Sequence, residues 1–231
     1  MTLLRRAVAE LIGTAFLVGA VVGSGVAATR LSPGQAGLQL LENSVVTGAA
    51  LTALILALQP VSAAFNPIVT LVERAFGALT NRETVTLIAA QFLGAAIGTV
   101  VANLMFGLHA VSISTHHRAT GGTALGEVVA TLGLLVVIFG TVRSGRSTAV
   151  AVGAYITAAY WFTSSTSFAN PAVTVARMFS NTFAGIAPGS VPMFVSMQLL
   201  GGVLAYGAIR LLYPGAKELA AETTVLVREP A

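Results

Sequence analysis

The chain has no cysteine, so neither a disulfide framework nor a thiolate metal site is open to it, and thiols say nothing about its compartment. It is also poor in charge: 12 Lys or Arg and 8 Asp or Glu stand among 231 residues, of which 55% are hydrophobic. A soluble domain of this size could not hide so much apolar surface in its core. The expected solvent is lipid, and spans of about 20 residues with short loops fit roughly six times into this length. One compact membrane domain follows. The formal charge of +4 comes from basic residues scattered singly at segment ends, which reads as a topology signal rather than a nucleic-acid surface. No membrane-facing cluster offers metal ligands or a nucleophile with a base, so no enzyme, cofactor or metal is expected.

Arg5 and Arg6 precede an apolar run over 7–28. It is too long for a secretory signal, and Glu10 interrupts it. Further spanning runs cover 40–58, 84–107, 124–142, 148–164 and 191–213, which gives six full helices. After the second and the fifth comes a shorter segment opening on Asn-Pro: Asn66-Pro67 and Asn170-Pro171. A helix from Asn66 to Gly77 would reach roughly 17 Å, about half of a ~30 Å hydrocarbon core. Six spans put both termini on one side, and the segments on that side hold Arg5, Arg6, Arg74, Arg82, Arg143, Arg146, Lys217 and Arg228. The other side has Arg30 and Arg118. That bias predicts a multi-pass cell-membrane protein with both ends cytoplasmic, one membrane domain over 1–213, and a polar cytoplasmic tail over 214–231 with no assigned fold.

The halves repeat one another, 1–107 against 124–213. Glu10 and Thr14 are matched by Glu127 and Thr131, Phe65-Asn66-Pro67 by Ala169-Asn170-Pro171, and Gln91 by Gln198, in the same order. With three spans per half, the second copy runs in the opposite sense. Proline suits the first turn of a helix and the preceding Asn can cap it, so each Asn-Pro reads as a helix start. Backbone that starts at bilayer depth leaves polar groups that are tolerated only inside protein or beside water, and two such starts imply a lined pore. Inversion aims the two half-helix N-termini at each other, each with about half a positive charge. At ~4 Å and an effective dielectric near 20, they oppose a monovalent cation by roughly 4 kcal/mol. A neutral solute feels no such barrier, and it can accept from the amides of Asn66 and Asn170.

On these motifs the chain resembles the aquaporin, or major intrinsic protein, family over nearly its whole length to about Pro214. The family's paired Asn-Pro-Ala boxes correspond to Asn66-Pro67-Ile68 and Asn170-Pro171-Ala172, the first with Ile in place of Ala. Its Glu-x-x-x-Thr signature corresponds to Glu10/Thr14 and Glu127/Thr131. The resemblance implies an all-α membrane protein of six transmembrane helices and two re-entrant half-helices in an inverted repeat. It further implies a homotetramer with one pore per subunit. It gives the two glutamates a loop-bracing role, against the proton relay that intramembrane carboxylates otherwise suggest.

In water-selective members an arginine directly follows the second box and forms the filter with a His and an aromatic. Here that place is Val173. The family's filter spacing puts the partners at Val46, Ala158 and Ser167, all small, and a register slip would substitute Thr47 or Ala159, which are small too. The implied filter is wide and free of arginine. It suits solutes larger than water: glycerol, urea, or the neutral hydroxides of arsenic and antimony. The stretch from Phe168 to Pro188, with Arg177, resembles a bacterial branch associated with arsenite. Trivalent arsenic is thiophilic, and a cysteine-free pore would not trap it.

Several residues keep two readings. Arg177, one turn beyond Val173, either replaces the missing positive charge at the outer mouth or braces the loop. His109, His116 and His117 offer metal binding or pH gating, or are a solvated loop. Tyr155, Tyr160 and Trp161 form an interfacial belt or border the mouth. The glycines Gly13, Gly94, Gly98, Gly133, Gly201 and Gly202 read as close-packing sites. The functional expectation is a passive channel for small neutral solutes, metalloid hydroxides such as arsenite first and glycerol or water second. A secondary carrier is the rival, with Glu10 and Glu127 as its coupling sites.

Overall fold

The computed structural model describes residues 1–213 and Gly215, so the expected tail over 214–231 lies, Gly215 apart, outside the described residues. Among these residues the fold is all-helical: α1 (Leu3–Leu31), α2 (Ala36–Leu58), α3 (Pro67–Ala75), α4 (Asn81–Met105), α5 (Gly121–Arg143), α6 (Thr148–Phe162), α7 (Pro171–Ala176) and α8 (Val191–Leu212). Side-chain caps fix most starts. Thr80 and Glu83 close a capping box on α4, Thr120 and Thr123 one on α5, and Ser147 caps α6. Among the described residues, five helices are long and apolar enough to cross a membrane. The sixth expected span, α6, has 15 residues, about 22 Å of helix. It stops because the chain turns extended at Thr163 and leads down to Asn170.

The two halves are built alike. The first and third long helices of each half lie together, α1 on α4 and α5 on α8, while α2 and α6 join the halves. Glycine decides how close these pairs come. A Cβ on Gly94 or Gly98 would run into the carbonyl of Leu11 or Ala15 on α1. At the α2–α6 crossing, a Cβ on Gly48 would sit 2.7 Å from the Gly153 carbonyl, and one on Gly153 would sit 2.6 Å from that of Gly48. The half-helices α3 and α7 are packed between α4 and α8 and touch at their N-terminal ends. With nine residues, α3 is shorter than the expected run from Asn66 to Gly77, and α7 has six residues and continues as a 3-10 turn over Arg177–Phe179.

Candidate functional site: the axial cavity

Each half-helix starts on its Asn. The side-chain oxygen of Asn66 accepts from the Ile68 N–H at 2.9 Å, and that of Asn170 from Ala172 at 3.0 Å and Val173 at 3.3 Å. The side-chain nitrogens reach across the pseudo-twofold. Asn66 Nδ2 donates to the Ala169 carbonyl at 2.8 Å, and Asn170 Nδ2 to the Phe65 carbonyl at 2.7 Å. A primary amide has two N–H groups, so each Asn keeps one for the cavity that both line.

Phe65 and Ala169, whose carbonyls take these bonds, lie in the left-handed region with φ of 47° and 46°. For residues with a Cβ that conformation is disfavoured by about 1–3 kcal/mol and persists only where the surroundings hold it. Two buried glutamates hold it. Glu10 accepts from the N–H of Ala64 at 2.9 Å and of Phe65 at 2.7 Å, from Ser62 at 2.5 Å and from Gln91 Nε2 at 2.8 Å. Glu127 accepts from the N–H of Phe168 at 3.0 Å and of Ala169 at 2.9 Å, and from Gln198 Nε2 at 2.5 Å. Gln91 and Gln198 donate again to Thr70 and Thr174, whose hydroxyls donate back to the carbonyls of Asn66 and Asn170. The two glutamines stood out in the sequence only as a repeat echo. Their position in each half was the signal for this linking role.

A cavity of about 130 Å³ passes the two Asn residues. Its helical walls are stripes in steps of four: Leu17 and Val21 on α1; Thr47, Leu51 and Ile55 on α2; Leu134, Ile138 and Val142 on α5; Thr148, Val152, Ile156 and Tyr160 on α6. Arg6, Gln59 and Glu73 line the end nearest the N-terminus, and Tyr160 and Arg177 the other. Arg6 is tied to Glu83 at 2.9 Å.

Of the four residues expected at the filter, Ser167 and Val173 line this cavity, while Val46 and Ala158 do not. Val46 is 43% exposed and Thr47 3%, because one helical residue is a 100° turn away from the wall. Ala158 is exposed for the same reason, two residues short of Tyr160 on the stripe from Thr148. The expectation of a rim without aromatic or cationic groups is corrected accordingly. Tyr160 is 3% exposed, and its hydroxyl lies 3.2 Å from Thr47 Oγ1. The four-residue spacing back to Thr148 was the legible signal for it. Trp161, one residue on, is half exposed and donates to Ser44.

Arg177 is buried. Its Nε donates to the Ala184 carbonyl, and its guanidinium lies 3.5 Å from the centre of the Phe168 ring. Arg118 approaches the same ring at 5.4 Å and holds the carbonyls of Gly185 at 2.7 Å and Phe183 at 2.8 Å. In the loop before it, burial and then the charge of Arg118 push the His116 imidazole below its usual value. Among the described residues His109, His116 and His117 join no cluster of three metal-ligating groups.

Residues 1–150 match the sequence profile of the major intrinsic proteins. Over 224 residues the chain is 47% identical to the aquaglyceroporin AqpS of Rhizobium meliloti (strain 1021), covering 96% of each. Its fold is similar to the X-ray structure of the aquaglyceroporin from Plasmodium falciparum, with a TM-score of 0.72 at 19% identity, over 94% of this chain and 100% of that one.

Proposed function

The chain belongs to the major intrinsic protein family, and on that footing we propose that it is a passive, bidirectional channel for small neutral solutes, with metalloid hydroxides such as arsenite as the leading class. The observation that carries this reading is the meeting of two half-helix N-termini on one lined cavity, with Val173 where the family's water channels have arginine. The paired positive ends oppose a cation and leave a neutral molecule untouched. Val173, Ser167 and Thr47 are small, so the wall near them leaves room for a solute larger than water.

Glycerol with water is the second reading, favoured by two observations. The relative at 47% identity is an aquaglyceroporin. The cavity also pairs apolar stripes with the hydroxyls of Thr47 and Tyr160 and the amides of Asn66 and Asn170, which suits a molecule with a hydrocarbon edge and a hydroxyl edge. A carrier would need a deep ion site. Glu10 and Glu127 are instead engaged by backbone N–H groups, as loop braces are. The reading includes a homotetramer in the cell membrane with both termini cytoplasmic, supported by the arginine bias between the two faces and by apolar outer helix faces.

The test is an initial-rate panel in liposomes, comparing water, glycerol, urea and arsenite. A channel gives flux linear in solute concentration with a low activation energy. Saturating flux with a high activation energy contradicts it and favours the carrier.

A further inference from the structure

We propose that Arg177 supplies, from one helical turn further along the chain, the fixed positive charge that Val173 omits, and that it is a specificity-determining residue excluding cations at the cavity end opposite the N-terminus. The inference rests on the channel reading above. It starts from spacing: Arg177 follows Val173 by four residues on α7 and its 3-10 extension, so the two side chains leave the same face, and both line the cavity.

The position is built. Glu127 holds the Phe168 N–H at 3.0 Å, and Phe168 packs edge-on against Phe194 with ring centres 5.0 Å apart. The guanidinium of Arg177 rests 3.5 Å from the centre of that fixed ring. Stacking and the Nε bond to Ala184 use one face and one edge of the group. Its two terminal nitrogens have no protein acceptor among the described residues. The Arg6–Glu83 ion pair lies at the opposite end of the cavity, and the carboxylate that interacts electrostatically with Arg177 is Glu127. Arg118 on the same ring adds a second cation. Glu127 is the carboxylate that faces this region, and its oxygens are engaged by the Phe168 and Ala169 N–H groups and by Gln198. A cation leaving or approaching by this end therefore meets a guanidinium held in place, whereas a neutral solute meets a hydrogen-bond donor.

The full-length protein reconstituted in liposomes tests this by sodium leak and glycerol flux, each per folded protein. Arg177→Gln is expected to raise sodium leak at least about tenfold and to change glycerol flux far less. Arg177→Lys, which keeps the charge, should stay near the wild type. Val173→Arg placed in the Arg177→Gln background should restore exclusion, because the charge returns one turn away. Unchanged leak in folded Arg177→Gln, or leak that the second substitution does not suppress, overturns the inference. Should Arg177→Gln fail to fold, Arg177→Met, which keeps much of the length without the charge, takes its place: raised sodium leak is expected, and leak equal to wild type overturns the inference. Wild type that carries no neutral solute sinks the channel reading itself, an outcome separate from the leak comparison.

Discussion

Asn66 and Asn170 each donate a side-chain N–H to the carbonyl of the residue immediately before the other, at 2.8 and 2.7 Å. Each half of the chain therefore sets the geometry of the other half's helix start. The accepting residues, Ala169 and Phe65, are the ones whose own N–H groups Glu127 and Glu10 hold. A carboxylate deep in one half thus fixes the amide at the centre of both.

Glu10→Gln and Glu127→Gln should each lower folded yield more than they alter the solute preference of the protein that survives. Each substitution puts an amide nitrogen where a carboxylate oxygen accepts from buried N–H donors, a loss of about 1–3 kcal/mol for a buried donor left unpaired. Size-exclusion profiles beside liposome flux check this. Normal yield with abolished transport would point to a relay.

Replacing Asn66 and Asn170 together with Ala removes both caps and both cross-links. Proton or sodium leak should rise, since the half-helix ends lose their fixed aim. Unchanged ion conductance in a folded double variant would count against exclusion at the Asn pair.

Tyr160→Ala should raise glycerol flux relative to water by several fold, because the ring and its contact with Thr47 narrow the rim. Tyr160→Phe keeps the ring and should change the ratio little. Equal ratios in all three proteins would show that Tyr160 does not limit passage.

Gly153→Val should destabilise the protein by about 1–3 kcal/mol or more through overpacking, since even a Cβ meets the Gly48 carbonyl at 2.6 Å. Thermal unfolding in detergent measures it. A melting temperature equal to wild type would mean that α2 and α6 part without loss.

Much of this was legible in the sequence. Apolar runs located the five long helices and the shorter α6, and Asn66-Pro67 and Asn170-Pro171 located the two half-helices, because proline and a capping Asn are local signals. The glutamates' partners were accessible only through the resemblance, since the donors Phe65 and Ala169 lie 55 and 42 residues away in the chain. The rim was read less well. A spacing carried across loops of unequal length slipped onto Val46 and Ala158, and a slip of one residue turns a helical side chain by 100°. The stripe Thr148, Val152, Ile156, Tyr160 contained the answer, but α6 is apolar nearly all round and only the packed neighbours show which side lines the cavity.

The most direct measurement is flux through Val173→Arg, with the amount of folded protein determined beside it. Val173 lines the cavity next to the Asn170 cap, and arginine there adds a long side chain that is always charged. Glycerol and arsenite flux should fall well below wild type, while water, smaller and able to accept from the guanidinium, should lose less. If folded Val173→Arg conducts glycerol and arsenite as fast as wild type, Val173 does not line the constriction, and the reading of a wide, metalloid-permeable channel is contradicted.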